Sequence, residues 1–337
     1  MKTGNKNLIT DVKGILVGNS QDETLKSGVT VLSGESRFNA AVTVLGGAPG
    51  TRETDLLETD KLVQQVDALV LSGGSVYGLD AAAGVVDSLR LEGKGYGVQD
   101  IKVPIVPGAI LFDLLNGGNK KWKINPYSSL GKKAYLDRGK SFKLGTVGAG
   151  TGATTSNLKG GLGSASVKLD NGINVGALVA VNSFGSSIIP GSKCFWASPF
   201  ELNEEYGGIG FSSPNDPFDL EKEIFNYDSL FKDNAKKNTT IAIVATDCDL
   251  NRSQLKRISV AAHDGISRSI VPAHTPFDGD LIFSVSTGQI KNNITDLEIA
   301  MIGHCAGVCL SRAIARGVYE AIKTPKDNFP TWSNYSA

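Results

Sequence analysis

Cysteine, histidine and unbroken apolar runs are all scarce in this 337-residue chain. Its four cysteines are too few for a disulfide framework over such a length, which predicts a reducing, cytoplasmic setting. Two of them, Cys305 and Cys309, lie one helical turn apart beside His304, a spacing a metal could use. They sit in an Ala-rich apolar stretch, however, and the preferred reading is small buried residues on a packed helix. His263, His274 and His304 form no H-x-x-x-H or similar pair, so neither zinc nor a Ser-His-Asp triad has support. Acidic and basic residues number 34 each, and this zero net charge argues against a nucleic-acid or membrane-surface partner. No stretch approaches the ~20 apolar residues of a membrane span. Residues 1–14 (MKTGNKNLITDVKG) lack the apolar segment of a secretory signal.

Glycine, by contrast, is abundant, with 40 residues, and 41% of the chain is hydrophobic. That composition fits a compact, turn-rich, multi-stranded protein. Residues 28–32 (GVTVL), 40–45 (AAVTVL), 68–71, 175–183, 240–246 and 281–285 read as strands, being rich in β-branched and apolar residues. Residues 54–66, 77–91, 254–269 and 297–322 carry helical spacing, and a further helix is possible late in residues 116–138. Residues 102–110, with two prolines, predict a turn or edge strand. Residues 184–237 read as irregular, and 325–337 as a loose tail. This order of strands and helices predicts helix packed on sheet.

Four places could carry chemistry. At 233–240 (DNAKKNTT) a polar loop runs straight into an apolar strand, and a loop tip of that kind is expected to be exposed and easily cut. If the Thr239 hydroxyl attacks the Asn238 carbonyl, the peptide becomes an ester, and water then frees Thr239. The new α-amine, with a pKa of ~8, lies within reach of the same residue's hydroxyl and can act as its base. The plainer reading is an ordinary strand start. At 274–283 (HTPFDGDLIF), Asp278 and Asp280 flank a glycine. At strand spacing they share a face, repel, and predict one protonated or cation-paired carboxyl. They could hold the Thr239 hydroxyl and ammonium, or be solvated turn residues.

Residues 145–166 (GTVGAGTGATTSNLKGGLGSAS) are dense in glycine. No G-x-G-x-x-G sits on a strand-to-helix turn and no Gly-Lys-Ser/Thr occurs, so a backbone passing close to substrate or another strand is favoured over nucleotide binding. Lys159, inside this stretch, could pair with carboxylates and lower their pKa, or be a surface charge. Asn182, ending the apolar run 175–181, could offer its side-chain NH to an oxyanion or simply bond nearby backbone.

Taken together these features resemble the self-cleaving hydrolases that include the β-peptidyl and D-amino-acid aminopeptidases and the nylon-oligomer (6-aminohexanoate oligomer) hydrolases. The resemblance runs through 7–17 (NLITDVKGILV), 46–57 (GGAPGTRETDLL), 71–85 (LSGGSVYGLDAAAGV), 145–166, 180–183 and 239–247. Threonine at 239, the paired Asp278 and Asp280, and 195–208 (FWASPFELNEEYGG) look more like the nylon-oligomer branch, since the aminopeptidases typically use serine. The resemblance implies an α/β fold, a four-layer αββα sandwich of the N-terminal-nucleophile hydrolase type. It also implies a single catalytic unit cut into residues 1–238 and 239–337, held in a homo-oligomer. By the same resemblance Thr239 is nucleophile and base and Asn182 an oxyanion donor, with Lys159, Asp278 and Asp280 completing the network. A family tyrosine has no secure counterpart here.

The expected reaction is hydrolysis of linear amide bonds in a small oligoamide or peptide, with no metal or organic cofactor. Three other readings stay open: a β-peptidyl or D-amino-acid aminopeptidase, an acyltransferase of the ornithine acetyltransferase type, and a non-catalytic protein binding a small ligand through its glycine-rich loop.

Overall fold

The computed structural model describes residues 2–212, 238–291 and 293–336. In chain order the strands are β1 (Lys2–Thr3), β2 (Ile15–Asp22), β3 (Ser27–Val44), β4 (Thr51–Arg52), β5 (Gln65–Ser72), β6 (Tyr96–Val98), β7 (Ile101–Val103), β8 (Gly108–Ile110), β9 (Gly161–Lys168), β10 (Asn174–Val181), β11 (Ile241–Cys248) and β12 (Leu281–Ile290). The α-helices among the described residues are α1 (Ala81–Leu91), α2 (Tyr127–Leu136), α3 (Arg252–Ser267) and α4 (Asp296–Tyr319). Ten strands form one sheet in the order β1-β9-β10-β11-β12-β3-β5-β8-β4, with β2 also paired to β3, and β6 and β7 form a separate ribbon. The fold is mixed α/β.

Period-two alternation sorts the strand side chains between cores. On β10, Val175, Ala177, Val179 and Val181 face a core shared with α3 and α4, while Leu178 and Ala180 face a second core with Ile241, Ile243, Leu281 and Phe283. On β5, Leu69 and Leu71 point into that same second core, and Ala68 and Val70 into a third, lined by α1 and α2. The long β3 joins the two halves. Its start gives Val29 and Val31 to the α1/α2 core, and further along Ala41 faces the α3/α4 core.

The two runs at 28–32 and 40–45 are therefore one 18-residue strand. Residues 54–66 are not a helix. They form a short 3₁₀ turn at Asp55–Leu57, then irregular chain that enters β5 at Gln65, with Leu62 86% exposed. The buried Arg252 guanidinium takes the carbonyls of Leu56, Glu58 and Val63 at 2.5–3.0 Å, acceptors that a helix would have used for itself. Helix α3 starts at Arg252, two residues earlier than its apolar spacing suggests. There Asn251 and Gln254 cap each other's backbone N–H groups, both at 3.0 Å.

Helix α4 corrects a second expectation, because by length and composition it is apolar enough to cross a membrane. Scattered Ser, His and Arg broke the apolar run as read along the sequence. In the fold 67% of the apolar stretch is buried, and it is the core helix on which β9 and β10 pack. Cys305 and Cys309 lie within that core. Small residues let the backbones touch: a Cβ at Gly163 would meet Ala313 O at 1.8 Å, and one at Gly161 would meet Gly317 O at 2.1 Å. The glycine-rich stretch thus serves close backbone approach. Arg312, fully buried on α4, bonds Glu205 at 2.5 Å and Asn7 Oδ1 at 2.8 Å. It ties segment 195–208 and the N-terminal segment to the core.

The tail is docked as well. Lys159 N–H donates to Pro330 O at 2.8 Å, Trp332 Nε1 donates to Lys193 O at 2.9 Å, and the Trp332 ring stacks on Phe195. Its apolar and aromatic residues, few and widely spaced, show no periodicity that reveals this in sequence.

Candidate active site

Strand register brings the site together. Val181 pairs with Gly161, Ala180 with Ile241, Ile241 with Leu281, and Leu281 with Val44. The residues just beyond these positions, Asn182, Lys159, Thr239 with Thr240, Asp278 with Asp280, and Leu45 through Ala48, therefore collect at one end of the central strands. Each comes from a different strand end, so proximity follows from topology and not from sequence spacing.

The Asn238–Thr239 junction is buried, at 7% and 4% exposure. The expectation of an exposed loop tip is corrected at the junction itself, and residues 233–237 lie outside the described residues. The Thr239 hydroxyl donates to Asn238 O at 2.5 Å. That same carbonyl accepts Gly279 N–H at 3.0 Å, and Thr239 N–H donates to Asn182 O at 2.5 Å. The peptide ahead of Thr239 is thus polarised at its oxygen and anchored at its nitrogen.

Glycine at 279 is required by closeness: a Cβ there would stand 2.6 Å from Ala48 O and 2.8 Å from Thr239 Oγ1. The segment 46–48 runs alongside, with Gly46 N–H donating to Asp280 O at 3.1 Å and Ala48 N–H to Asp278 O at 2.7 Å. The G-G-A-P-G run thereby fixes the D-G-D turn.

The two carboxylates do different things. Asp280 accepts Thr240 N–H at 2.8 Å, His274 N–H at 3.1 Å and His274 Nδ1 at 2.9 Å. Asp278 accepts Phe184 N–H at 3.0 Å, Thr275 N–H at 3.1 Å and the Thr275 hydroxyl at 2.6 Å. Burial, and then the charge of Asp280, push the Asp278 carboxyl above its ordinary value. The two oxygen pairs face different partners, so the expected shared strand face is absent: both residues precede β12 in an irregular turn. His274, held with φ of +56°, is the imidazole that pairs with Asp280. Beneath it lies His263, with ring centroids 4.9 Å apart. Burial pushes His263 down to about 4, so it is neutral.

Asn182 offers Oδ1 to Thr154 N–H at 3.0 Å and directs Nδ2 to Phe112 O at 3.3 Å. The Lys159 ammonium turns to Asp327 at 2.7 Å and the Thr324 hydroxyl at 3.1 Å, and not to Asp278 or Asp280. Asp327 also takes Lys26 at 2.7 Å. His274 and Asp327 are the members of this neighbourhood that sequence reasoning left without a role. The first stood in a noted motif, whereas the second lay in a presumed tail and carried no signal. The hydroxyls of Tyr127, Tyr135 and Tyr206 bond Ser27, Glu92 and Ala197. Among the described residues no cluster of metal-ligating side chains occurs.

Comparison with known proteins agrees with this architecture. An uncharacterized aminopeptidase of Mycobacterium tuberculosis is 40% identical over 96% of this chain and 98% of its own. A 6-aminohexanoate-oligomer endohydrolase of Kocuria is 27% identical over 86% and 77%. Among solved structures, a Burkholderia beta-aminopeptidase superposes with a TM-score of 0.70 at 18% identity, covering 98% of this chain and 93% of that one. An L-aminopeptidase D-Ala-esterase/amidase of Ochrobactrum anthropi, described as a variant of the Ntn hydrolase fold, gives 0.67 at 21%, covering 97% and 90%. The profile of peptidase family S58 matches residues 7–328, and the chain belongs to that family, as a hydrolase acting on amide or peptide bonds.

Proposed function

We propose that the chain cuts itself between Asn238 and Thr239 and then hydrolyses linear amide bonds with Thr239 as an N-terminal nucleophile. The observation that carries this is the buried junction, where the Thr239 hydroxyl and Gly279 N–H both meet the Asn238 carbonyl oxygen, at 2.5 and 3.0 Å. Thr239 Oγ attacks the Asn238 carbonyl carbon, its proton passes to the departing Thr239 nitrogen, and an ester forms. Water then cleaves the ester, leaving the Asn238 carboxylate and a free hydroxyl. Asn182 O retains the new amine. A substrate carbonyl next occupies the position left by Asn238, where Gly279 N–H serves as an oxyanion donor, joined by the Asn182 amide once it turns from Phe112 O. The amine takes the hydroxyl proton and passes it to the leaving amine, and water clears the acyl-enzyme. Asp280 fixes the strand start through Thr240, and Lys159 supplies positive charge nearby.

The finer architecture belongs to the same reading: a four-layer αββα sandwich, supported by three successive cores, forming a single catalytic domain. The fragments 1–238 and 239–337 stay together because β11 and β12 lie between β10 and β3. Assembly of these cleaved pairs into a homo-oligomer, a cytoplasmic location, and action without cofactor on a small oligoamide or peptide complete the proposal. The relatives named aminopeptidases favour a second substrate reading, release of residues from a peptide end, whereas those named endohydrolases favour internal bonds.

Intact-mass measurement together with N-terminal sequencing of the smaller fragment tests the core claim. The fragment should begin Thr-Thr-Ile-Ala, and an active preparation that stays a single uncut chain would sink it. Product analysis on an oligoamide, with and without an amine acceptor, separates end-release, internal cleavage and acyl transfer.

A further inference from the structure

Three charged groups from distant parts of the chain meet beside the site, and of these only Lys159 entered the chemistry above. Lys26 precedes β3, Lys159 precedes β9, and Asp327 follows α4. Each Asp327 oxygen takes one ammonium at 2.7 Å. Thr324 completes the cage, its backbone N–H donating to Asp327 at 2.5 Å and its hydroxyl at 2.8 Å. All three charged side chains are less than a tenth exposed.

The charge balance is uneven, with two cations on one carboxylate. It shows in the titration of Asp327 and of Lys159. Despite burial, the hydrogen bonds from Lys159 and Lys26 bring Asp327 down to about 2. Lys159 moves down as well, since burial outweighs its half share of a carboxylate. Beyond the triad stand Lys120 and the buried Asp113, which interact with each other, and Lys120 also feels Lys26. A small cavity lined by Lys26, Asn116, Gly152, Thr154, Lys159 and Asp327 lies next to the loop whose Thr154 N–H holds Asn182.

We propose that Asp327 is a positioning residue for Lys159, reaching from the C-terminal fragment across the cut to hold the active-site lysine charged and in place. The inference rests on the proposed function, in which Lys159 acts near Thr239. Lys26 divides the carboxylate with Lys159 and so sets how firmly that lysine is held. After cleavage both lysines belong to residues 1–238 and Asp327 to 239–337, so this ionic contact joins the fragments at the site itself. The backbone bond from Lys159 N–H to Pro330 O fastens the same strap at 2.8 Å.

The test is the pH profile of amide hydrolysis in cleaved wild type, Asp327→Asn, Asp327→Glu and Lys26→Met, with thermal melting as a check on folding. Removing the carboxylate leaves two facing ammonium groups. In Asp327→Asn the alkaline limb should move about 1–3 pH units lower, the range seen when an opposite charge is lost at contact distance. Its kcat should fall by about 10-fold or more, with a smaller change in KM. Asp327→Glu, which keeps the charge, should return the limb toward wild type. Lys26→Met leaves the carboxylate wholly to Lys159 and should move the limb the other way, to higher pH, so the proposal stays testable if Asp327→Asn fails to fold. A folded Asp327→Asn enzyme with the wild-type limb overturns it, as does a Lys26→Met limb that stays put or moves lower. Those failures differ from failure of the proposed function, which would appear as an uncut wild-type chain.

Discussion

Gly279→Ala perturbs the backbone donor without replacing any side chain of the site. The added methyl would lie 2.6 Å from Ala48 O and 2.8 Å from Thr239 Oγ1, where ordinary contact begins at 3.4 Å. Ala48 cannot retreat freely, because its N–H is bonded to Asp278 O at 2.7 Å. The turn itself must therefore shift by about 0.8 Å, which, taken along the bond, would stretch Gly279 N to Asn238 O from 3.0 Å to about 3.8 Å, beyond hydrogen-bond range. Loss of one such donor costs about 100- to 1,000-fold in rate, or about 3–4 kcal/mol of transition-state stabilisation. Overpacking itself costs about 1–3 kcal/mol of stability, which a melting curve measures separately. The assay is the time course of fragment formation by intact mass after rapid purification. A folded Gly279→Ala protein that cuts itself as fast as wild type would refute the assignment of this N–H.

Three further outcomes are expected. Thr239→Ala stays a single chain by intact mass, while Thr239→Ser, which keeps the hydroxyl and the amine, still cuts. His263 has a folded value of about 4 against 6.5 ordinarily, so the unfolded chain binds its proton first as pH falls. The stability from burying it neutral is complete above about pH 6.5 and is lost progressively toward pH 4, a change of about 3 kcal/mol. Denaturant titrations of His263→Gln should show a shallower decline across that window. Arg312→Met removes the Glu205 partner at 2.5 Å and leaves that buried carboxylate with Arg316, at 3.5 Å, and the Asn7 amide. A loss of about 3–5 kcal/mol is expected by chemical denaturation, and a loss under 1 kcal/mol would contradict the burial of that charge.

Much of the sheet was readable because β-branched, apolar segments such as 175–181 and 241–246 are buried on both faces and tolerate little else. Capping boxes at Asn251 and Thr295 place the starts of α3 and α4 by local chemistry alone. Residues 54–66 misled because their apolar spacing suits a helix, while the carbonyls that a helix needs are taken by Arg252 from almost 200 positions away. Asp278 and Asp280 were recognisable as a pair, but their division of labour was not, since the partners that separate them, Phe184 N–H and His274, come from different turns.

Short segments whose chemistry is self-contained were enough by themselves for the resemblance to the family and for Thr239 as the nucleophile candidate. Tertiary structure alone decided that the Asn238–Thr239 bond is buried, that Lys159 answers to Asp327, and that the presumed tail straps the site. Those are contacts between strand ends and segments up to 301 positions apart. They are fixed by register and packing, to which no single stretch of sequence has access.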